Sequence, residues 1–185
     1  MKKVIIGISG ATGIEYAIRM LEILKAKNVE THLIVSKPAE MTRSYETQYK
    51  SKEIKELATF THSNCNISAP IASGSYNTDG MIIIPCSAKT LAQIANGLGE
   101  SLITRAADVV LKERRKLIIC LRETPFNAIH IDNMKKANTA GAIIMPTVNA
   151  FYNKPETLND IIEDFVYRTL NVFGFRLNEM KEWVG

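Results

Sequence analysis

The chain has 185 residues, 46% of them hydrophobic and 23% charged, with a net charge of +4 and a pI near 8.9. That length suits one compact domain over residues 1–185, and the composition excludes a disordered or fibrous chain. The small, scattered positive excess gives no basis for nucleic-acid binding. No run of about 18 apolar residues exists to span a bilayer, and Cys65, Cys86 and Cys120 show no paired spacing and no CxxC, so a reducing cytoplasm is expected.

Lys2 and Lys3 precede an apolar run that glycines soon interrupt, which reads as a strand rather than a signal peptide. Short apolar runs of the kind buried on both faces occur at 4–8, 32–35, 81–84, 117–121 and 142–145. Ile14, Ala17, Ile18, Leu21 and Leu24 share one face of a helix over 14–27, and Ile161, Phe165, Leu170 and Phe173 mark a long C-terminal helix. The alternation predicts a doubly wound α/β fold, a mostly parallel sheet covered on both sides in three layers. Segment 61–79 is polar, has no period and reads as a long functional loop.

Ligands of such sheets bind beyond the carboxyl ends of the strands, so the residues after each run carry the functional reading. Gly7-Ile8-Ser9-Gly10-Ala11-Thr12-Gly13 lets N–H groups approach a phosphate at the next helix, or simply makes a tight turn. A dinucleotide fingerprint would bring an acid at the end of the second strand. This chain has Ser36-Lys37-Pro38 there, so a reader of NADP using Lys37 stays open. The third run leads into Pro85-Cys86-Ser87-Ala88-Lys89-Thr90, where Ser87 is an N-cap, a ligand for an anion or flavin edge, or both. Cys86 has no neighbouring histidine in sequence and reads as inert packing.

A single helix over 101–115 puts Arg105 and Lys112 on one face with Asp108 between them, either a salt-bridge ladder or a phosphate clamp. The basic run 112–116 reads either as the cationic end of a helix or as a patch that attracts an anion. Arg122-Glu123-Thr124-Pro125 ends the fourth strand with a guanidinium for phosphate and a carboxylate for protons, or with an internal ion pair. After the fifth strand, Ala150-Phe151-Tyr152-Asn153-Lys154-Pro155 presents a Tyr hydroxyl at the same rim.

Ile84-Pro85-Cys86-Ser87-Ala88-Lys89-Thr90-Leu91 resembles the PCSxKTL segment of the UbiX family of flavin prenyltransferases. Gly7 to Ala11, Ser36-Lys37, Ser73-Gly74-Ser75, the RAADV run from Arg105, the LKERR run from Leu111, Arg122 to Pro125 and Ala150-Phe151-Tyr152 follow in the family's order, essentially end to end. The resemblance implies a flavodoxin-like Rossmann domain in a symmetric homo-oligomer, a dodecamer with active sites between subunits. It implies transfer of a dimethylallyl group from dimethylallyl phosphate to N5 and C6 of reduced flavin mononucleotide (FMN), without a metal. By the same resemblance, the prenylated FMN made in this way would serve a UbiD-type decarboxylase. Flavin contacts are implied for Ser9, Gly10, Ala11, Ser36, Ser87, Ala88, Lys89, Thr90 and Arg122, and allylic phosphate contacts for Arg105, Lys112, Tyr152 and Arg168. Glu46 and Glu123 would handle protons, Trp183 would shield the isoprenyl chain, and Ser9 would also join the catalytic set.

The chain departs from the family pattern at Glu15 and Ala17, which flank Tyr16, and at Thr147-Val148-Asn149, which replaces a more proline-rich approach to Phe151 and Tyr152. Two rival readings are an FMN-dependent cysteine decarboxylase of the related superfamily, which resembles PASANT at 85–90, and a flavin carrier with no need of a second phosphate clamp.

Overall fold

The structure, a computed structural model, describes residues 2–177. Strands β1 (Lys3–Ile8), β2 (Glu30–Val35), β3 (Phe60–Ser63), β4 (Gly80–Cys86), β5 (Lys116–Leu121) and β6 (Ile143–Ile144) form one parallel sheet in the order β3-β2-β1-β4-β5-β6. Alternate side chains divide the core. Val4, Ile6, Ile82, Ile84 and Ile118 face helices α1 (Ile14–Ala26) and α7 (Leu158–Phe173), whereas Ile5, Met81, Ile83, Leu117 and Ile119 face α4 (Ala88–Ala95), α5 (Leu102–Lys112) and α6 (Ala128–Thr139). Each such side chain taken from water stabilises the fold by about 1.5–3 kcal/mol before chain entropy is counted. Two further helices, α2 (Lys37–Glu46) and α3 (Ser51–Lys55), follow β2 and add Ala39 and Ile54 to the α1 side.

Caps written in the sequence start these helices. Side-chain oxygens of Ser36, Ser87, Ser101, Asn127 and Thr157 accept the N–H of Ala39, Thr90, Thr104, His130 and Asp160 at 2.9–3.4 Å, each worth about 1 kcal/mol. Gly174, at φ 110°, closes α7 in the left-handed region that a Cβ disfavours.

Two expectations change. The long loop 61–79 contains most of β3, whose polar sequence pairs as an edge strand alongside β2. Without β3 the order would be the flavodoxin one; with it the sheet has the strand order of a dinucleotide-binding fold. The helix over 101–115 ends at Lys112 because Arg114 turns to φ 56° and the chain bends into β5. Helices α2 and α6 carry no clear apolar stripe in sequence, since α2 buries only Ala39 and α6 only Asn133 and Ala137. Among the described residues no helix is long and apolar enough to cross a membrane, and no group of three or more His, Cys, Asp or Glu could hold a metal ion.

Candidate active site

The strand order reverses between β1 and β4, so the crossovers leave in opposite directions and a crevice opens beyond those two strands. Ser9 and Ser87, the first residues after them, meet there although 78 residues apart. The Ser87 N–H donates to Ser9 Oγ at 2.8 Å, and the Ser9 N–H donates to the Pro85 carbonyl at 3.1 Å. Ser9 is only 2% exposed, so its hydroxyl is a fixed part of the crevice floor. Ser87 is the N-cap of α4, and its hydroxyl also donates to Thr90 Oγ1 at 3.1 Å. Ala88 and the exposed Lys89 form the first turn of that helix. Cys86 is fully buried, and loss of solvation pushes its thiol up to about 12, so the packing role stands.

The loop after β1 lies directly against α2. A Cβ on Gly10 would run into the Pro38 ring, which is why glycine stands there. Gly13, at φ 102°, starts α1 without a side-chain cap of its own. Glu46, at the far end of α2, supplies one: its Oε2 accepts from the N–H of Gly13 at 2.8 Å and of Ile14 at 3.3 Å. A carboxylate is favoured there by the helix dipole. The starts of α1, α2 and α4, with the hydroxyls of Ser9, Ser36 and Ser87, thus crowd one rim.

The Arg122 N–H donates to the Cys86 carbonyl at 2.9 Å, fixing the backbone after β5 beside that of β4. The Arg122 side chain is exposed, and Glu123 accepts from its neighbour Thr124 N–H at 3.1 Å. No Arg122–Glu123 ion pair forms among the described residues. Burial raises the phenol pKa of Tyr16, and the positive charge of Arg122 opposes it. Met145 and Thr147 extend the ladder beside β5, donating to Ile119 and Leu121 carbonyls at 2.9 and 3.1 Å, and the chain then presents exposed Phe151 and Tyr152.

The four groups expected to hold the allylic phosphate are not gathered within one chain. Arg105 pairs with Asp108 at 2.8 Å, half of the expected ladder, but Lys112 turns to Glu113, whose carboxyl it holds below the usual range. Arg105 and Lys112 lie on α5, whereas the exposed Arg168 lies on α7 across the sheet. Lys112 precedes the six residues of β5 and Arg122 follows them, a separation of about 20 Å at ~3.3 Å per residue. Trp183 lies outside the described residues.

Arg115, which the sequence marked only as part of the LKERR run, and Asn64, which it gave no reason to single out, complete the far end. Arg115 donates to the carbonyls of Gly74 and Tyr76 at 2.8 Å each. It thereby lays the Ser73-Gly74-Ser75 turn on Lys112, so close that a Cβ on Gly74 would sit 2.7 Å from Lys112 Nζ. Asn64, just past β3, takes the first two N–H groups of α5 on its carbonyl and side-chain oxygens at 2.8 and 3.1 Å. Both partnerships join segments about forty residues apart, which periodicity does not reveal.

A flavoprotein family model matches residues 1–169. Over 185 residues the chain is 51% identical to the flavin prenyltransferase UbiX of Neisseria meningitidis serogroup B, covering 100% of this chain and 98% of that protein. This chain belongs to the UbiX family of flavin prenyltransferases. Its fold superposes with a TM-score of 0.98, at 44% identity, on AnUbiX (PadA1), which was crystallised with FMN and dimethylallyl pyrophosphate; 100% of this chain and 98% of that one are covered. A dodecameric FMN-dependent UbiX-like decarboxylase from Escherichia coli O157:H7 gives a TM-score of 0.96 at 46% identity, covering 99% and 100%.

Proposed function

We propose that this UbiX-family chain transfers a dimethylallyl group from dimethylallyl phosphate to N5 and C6 of reduced FMN. The observation that carries the reading is the end-to-end likeness to AnUbiX, which holds FMN and dimethylallyl pyrophosphate together. The rim suits a flavin mononucleotide in its chemistry: helix starts and the hydroxyls of Ser9, Ser36 and Ser87 for an anion and ring edge, with a guanidinium at Arg122 that no carboxylate neutralises among the described residues.

The reduced flavin supplies two nucleophilic positions, and the chain supplies the surroundings. Ser9, Gly10, Ala11, Ser36, Ser87 to Thr90 and Arg122 hold the flavin. Arg105, Lys112, Arg168 and the Tyr152 hydroxyl hold the allylic phosphate. As its C–O bond breaks, both electrons leave with the phosphate, and fixed cations stabilise that charge most where water is excluded. Bonds from the two ends of the allylic unit to N5 and C6 each replace a hydrogen of the flavin, and the carbon between them takes up a proton as the C=C bond is consumed, so the site must receive two protons and supply one. Glu123 is the acceptor for the C6 proton, its carboxylate engaged by the Thr124 N–H and by no cation among the described residues. Glu46 lies on the same rim, at the start of α1, as a second proton-handling carboxylate.

Because α5 and α7 cover opposite faces of the sheet, Lys112 and Arg168 meet only if different copies contribute them. The assembly is therefore a homo-oligomer with shared sites, in line with the dodecameric E. coli relative. Free Cys65, Cys86 and Cys120 suit a reducing cytoplasm, and prenylated FMN would pass to a UbiD-type decarboxylase. The test is an anaerobic incubation of the protein with reduced FMN and dimethylallyl phosphate, then with the pyrophosphate, and mass analysis of the flavin. A flavin heavier by one isoprenyl unit is expected with the monophosphate; unchanged flavin with both donors sinks the transferase reading.

A further inference from the structure

Behind the Ser73-Gly74-Ser75 turn lies a run of titratable groups, half-buried around one buried histidine. His32 of β2 is 3% exposed. Its ring stacks on Phe60 at 5.0 Å and on His62 at 5.3 Å, both in β3. His32 Nδ1 is 3.0 Å from His62 Nε2, and its Nε2 is 3.1 Å from Glu30 Oε1 and 3.2 Å from the Tyr76 hydroxyl. Lys3 of β1 pairs with Glu30 at 3.1 Å and sits over the Tyr76 ring at 5.1 Å.

The proton positions follow from which atoms can donate. An ionised Glu30 only accepts, so His32 Nε2 carries the hydrogen and Nδ1 is left as an acceptor. His62 must then donate from its Nε2. One extra proton fits on His62 Nδ1 without breaking this pattern. A second, on His32 Nδ1, would set two N–H groups facing each other at 3.0 Å.

Tyr76 connects this run to the far end of the molecule. Its hydroxyl lies in the histidine cluster, its carbonyl is held by Arg115 at 2.8 Å, and its N–H closes the turn by donating to the Ser73 carbonyl at 3.2 Å. That turn rests on Lys112. We propose that Tyr76 and His32 are positioning residues for the allylic-phosphate half-site at Lys112, and that the His32–His62 bond makes this positioning sensitive to acid. The substrate part rests on the reading that Lys112 holds the phosphate.

The groups facing His32 are Glu30 on its own strand, Lys3 from β1, His62 and Phe60 from β3, and Tyr76 from the segment before β4. Burial lowers the pKa of both histidines, Lys3 adds to this at His32 and His32 adds to it at His62, while Glu30 opposes it at His32. The pair is therefore neutral, and its bond intact, near pH 7.

Two measurements test the proposal. Hydrogen exchange read by mass spectrometry reports the 73–77 turn directly, and titration calorimetry reports affinity for dimethylallyl phosphate and FMN. Tyr76→Phe should speed exchange of the turn and weaken the donor about tenfold at pH 7.5, leaving FMN affinity within about twofold. His62→Gln can offer either an N–H or a carbonyl to His32 Nδ1, so it should bind the donor normally at pH 7.5 and resist acid. As the pH is lowered in steps from 6.5 to 4.5, wild type should show faster turn exchange and weaker donor binding before His62→Gln does, a comparison in which the donor's own ionisation cancels. Unchanged turn exchange in Tyr76→Phe, or parallel acid loss in wild type and His62→Gln, overturns the proposal. Lys112→Ala separates the two readings. If it binds the donor normally, the Lys112 assignment fails and with it the substrate half of the proposal, while turn exchange still decides the link from Tyr76 and His62.

Discussion

Ser9→Ala tests the crevice floor most directly. In the native structure the Ser9 oxygen accepts the Ser87 N–H at 2.8 Å in a place 2% exposed, so water cannot replace it. An orphaned buried donor costs about 1–3 kcal/mol. For a chain of this size, about 2–4 °C of Tm is lost per kcal/mol, giving a fall of about 2–12 °C. The Ser9 bond runs to the backbone of Ser87, not to its side chain. Ser87→Ala should therefore cost its own cap, about 1 kcal/mol, and leave the Ser9 bond in place. The two hydroxyls lie 3.4 Å apart, long for an O–H···O bond, so the double variant should be additive within about 0.5 kcal/mol. Urea unfolding and thermal scans of the four proteins without flavin read this out. An unchanged Tm in Ser9→Ala, or coupling above about 1 kcal/mol, would show that the crevice is not held as described.

Glu123→Gln should slow turnover by about a hundredfold or more while changing FMN affinity little, since the carboxylate accepts only from Thr124 N–H among the described residues; equal losses in both measurements would mark it as structural. Stability should fall as pH drops below the ordinary histidine value of 6.5, because the unfolded chain then binds protons that His32 and His62 refuse when folded. Glu30, Glu40 and Glu113, held below 4.5, add a second loss at lower pH; a urea midpoint that stays flat from pH 7.5 to 5 contradicts the histidine part. Iodoacetamide at pH 8 should label the exposed Cys65 and spare the buried Cys86 and Cys120, whose thiols burial pushes upward; rapid modification of all three in native protein would mean the core opens.

Buried strands and the residues that follow them were legible in the chain itself. Val, Ile and Leu runs encode burial on two faces whatever their neighbours are, and Ser36 and Ser87 mark helix starts by a chemistry that acts over three residues. The motifs around Ser87, Arg105 and Arg122 likewise needed no coordinates to suggest a flavin and an allylic phosphate. Strand order was not written there. β3 is four residues of Phe-Thr-His-Ser with little to bury, and only pairing with β2 makes it a strand.

The same holds for every long-range partnership. Ser9 lies beside Ser87 because β1 and β4 are neighbours, and Glu46 reaches α1 because Pro38 packs on Gly10. Lys112 and Arg122 flank the two ends of one strand, and Arg168 lies across the sheet, so a shared phosphate site requires more than one copy. Side-chain type and local spacing act within a turn or two of chain. Which distant segments meet is settled by how the whole sheet closes its core, and that only the folded chain decides.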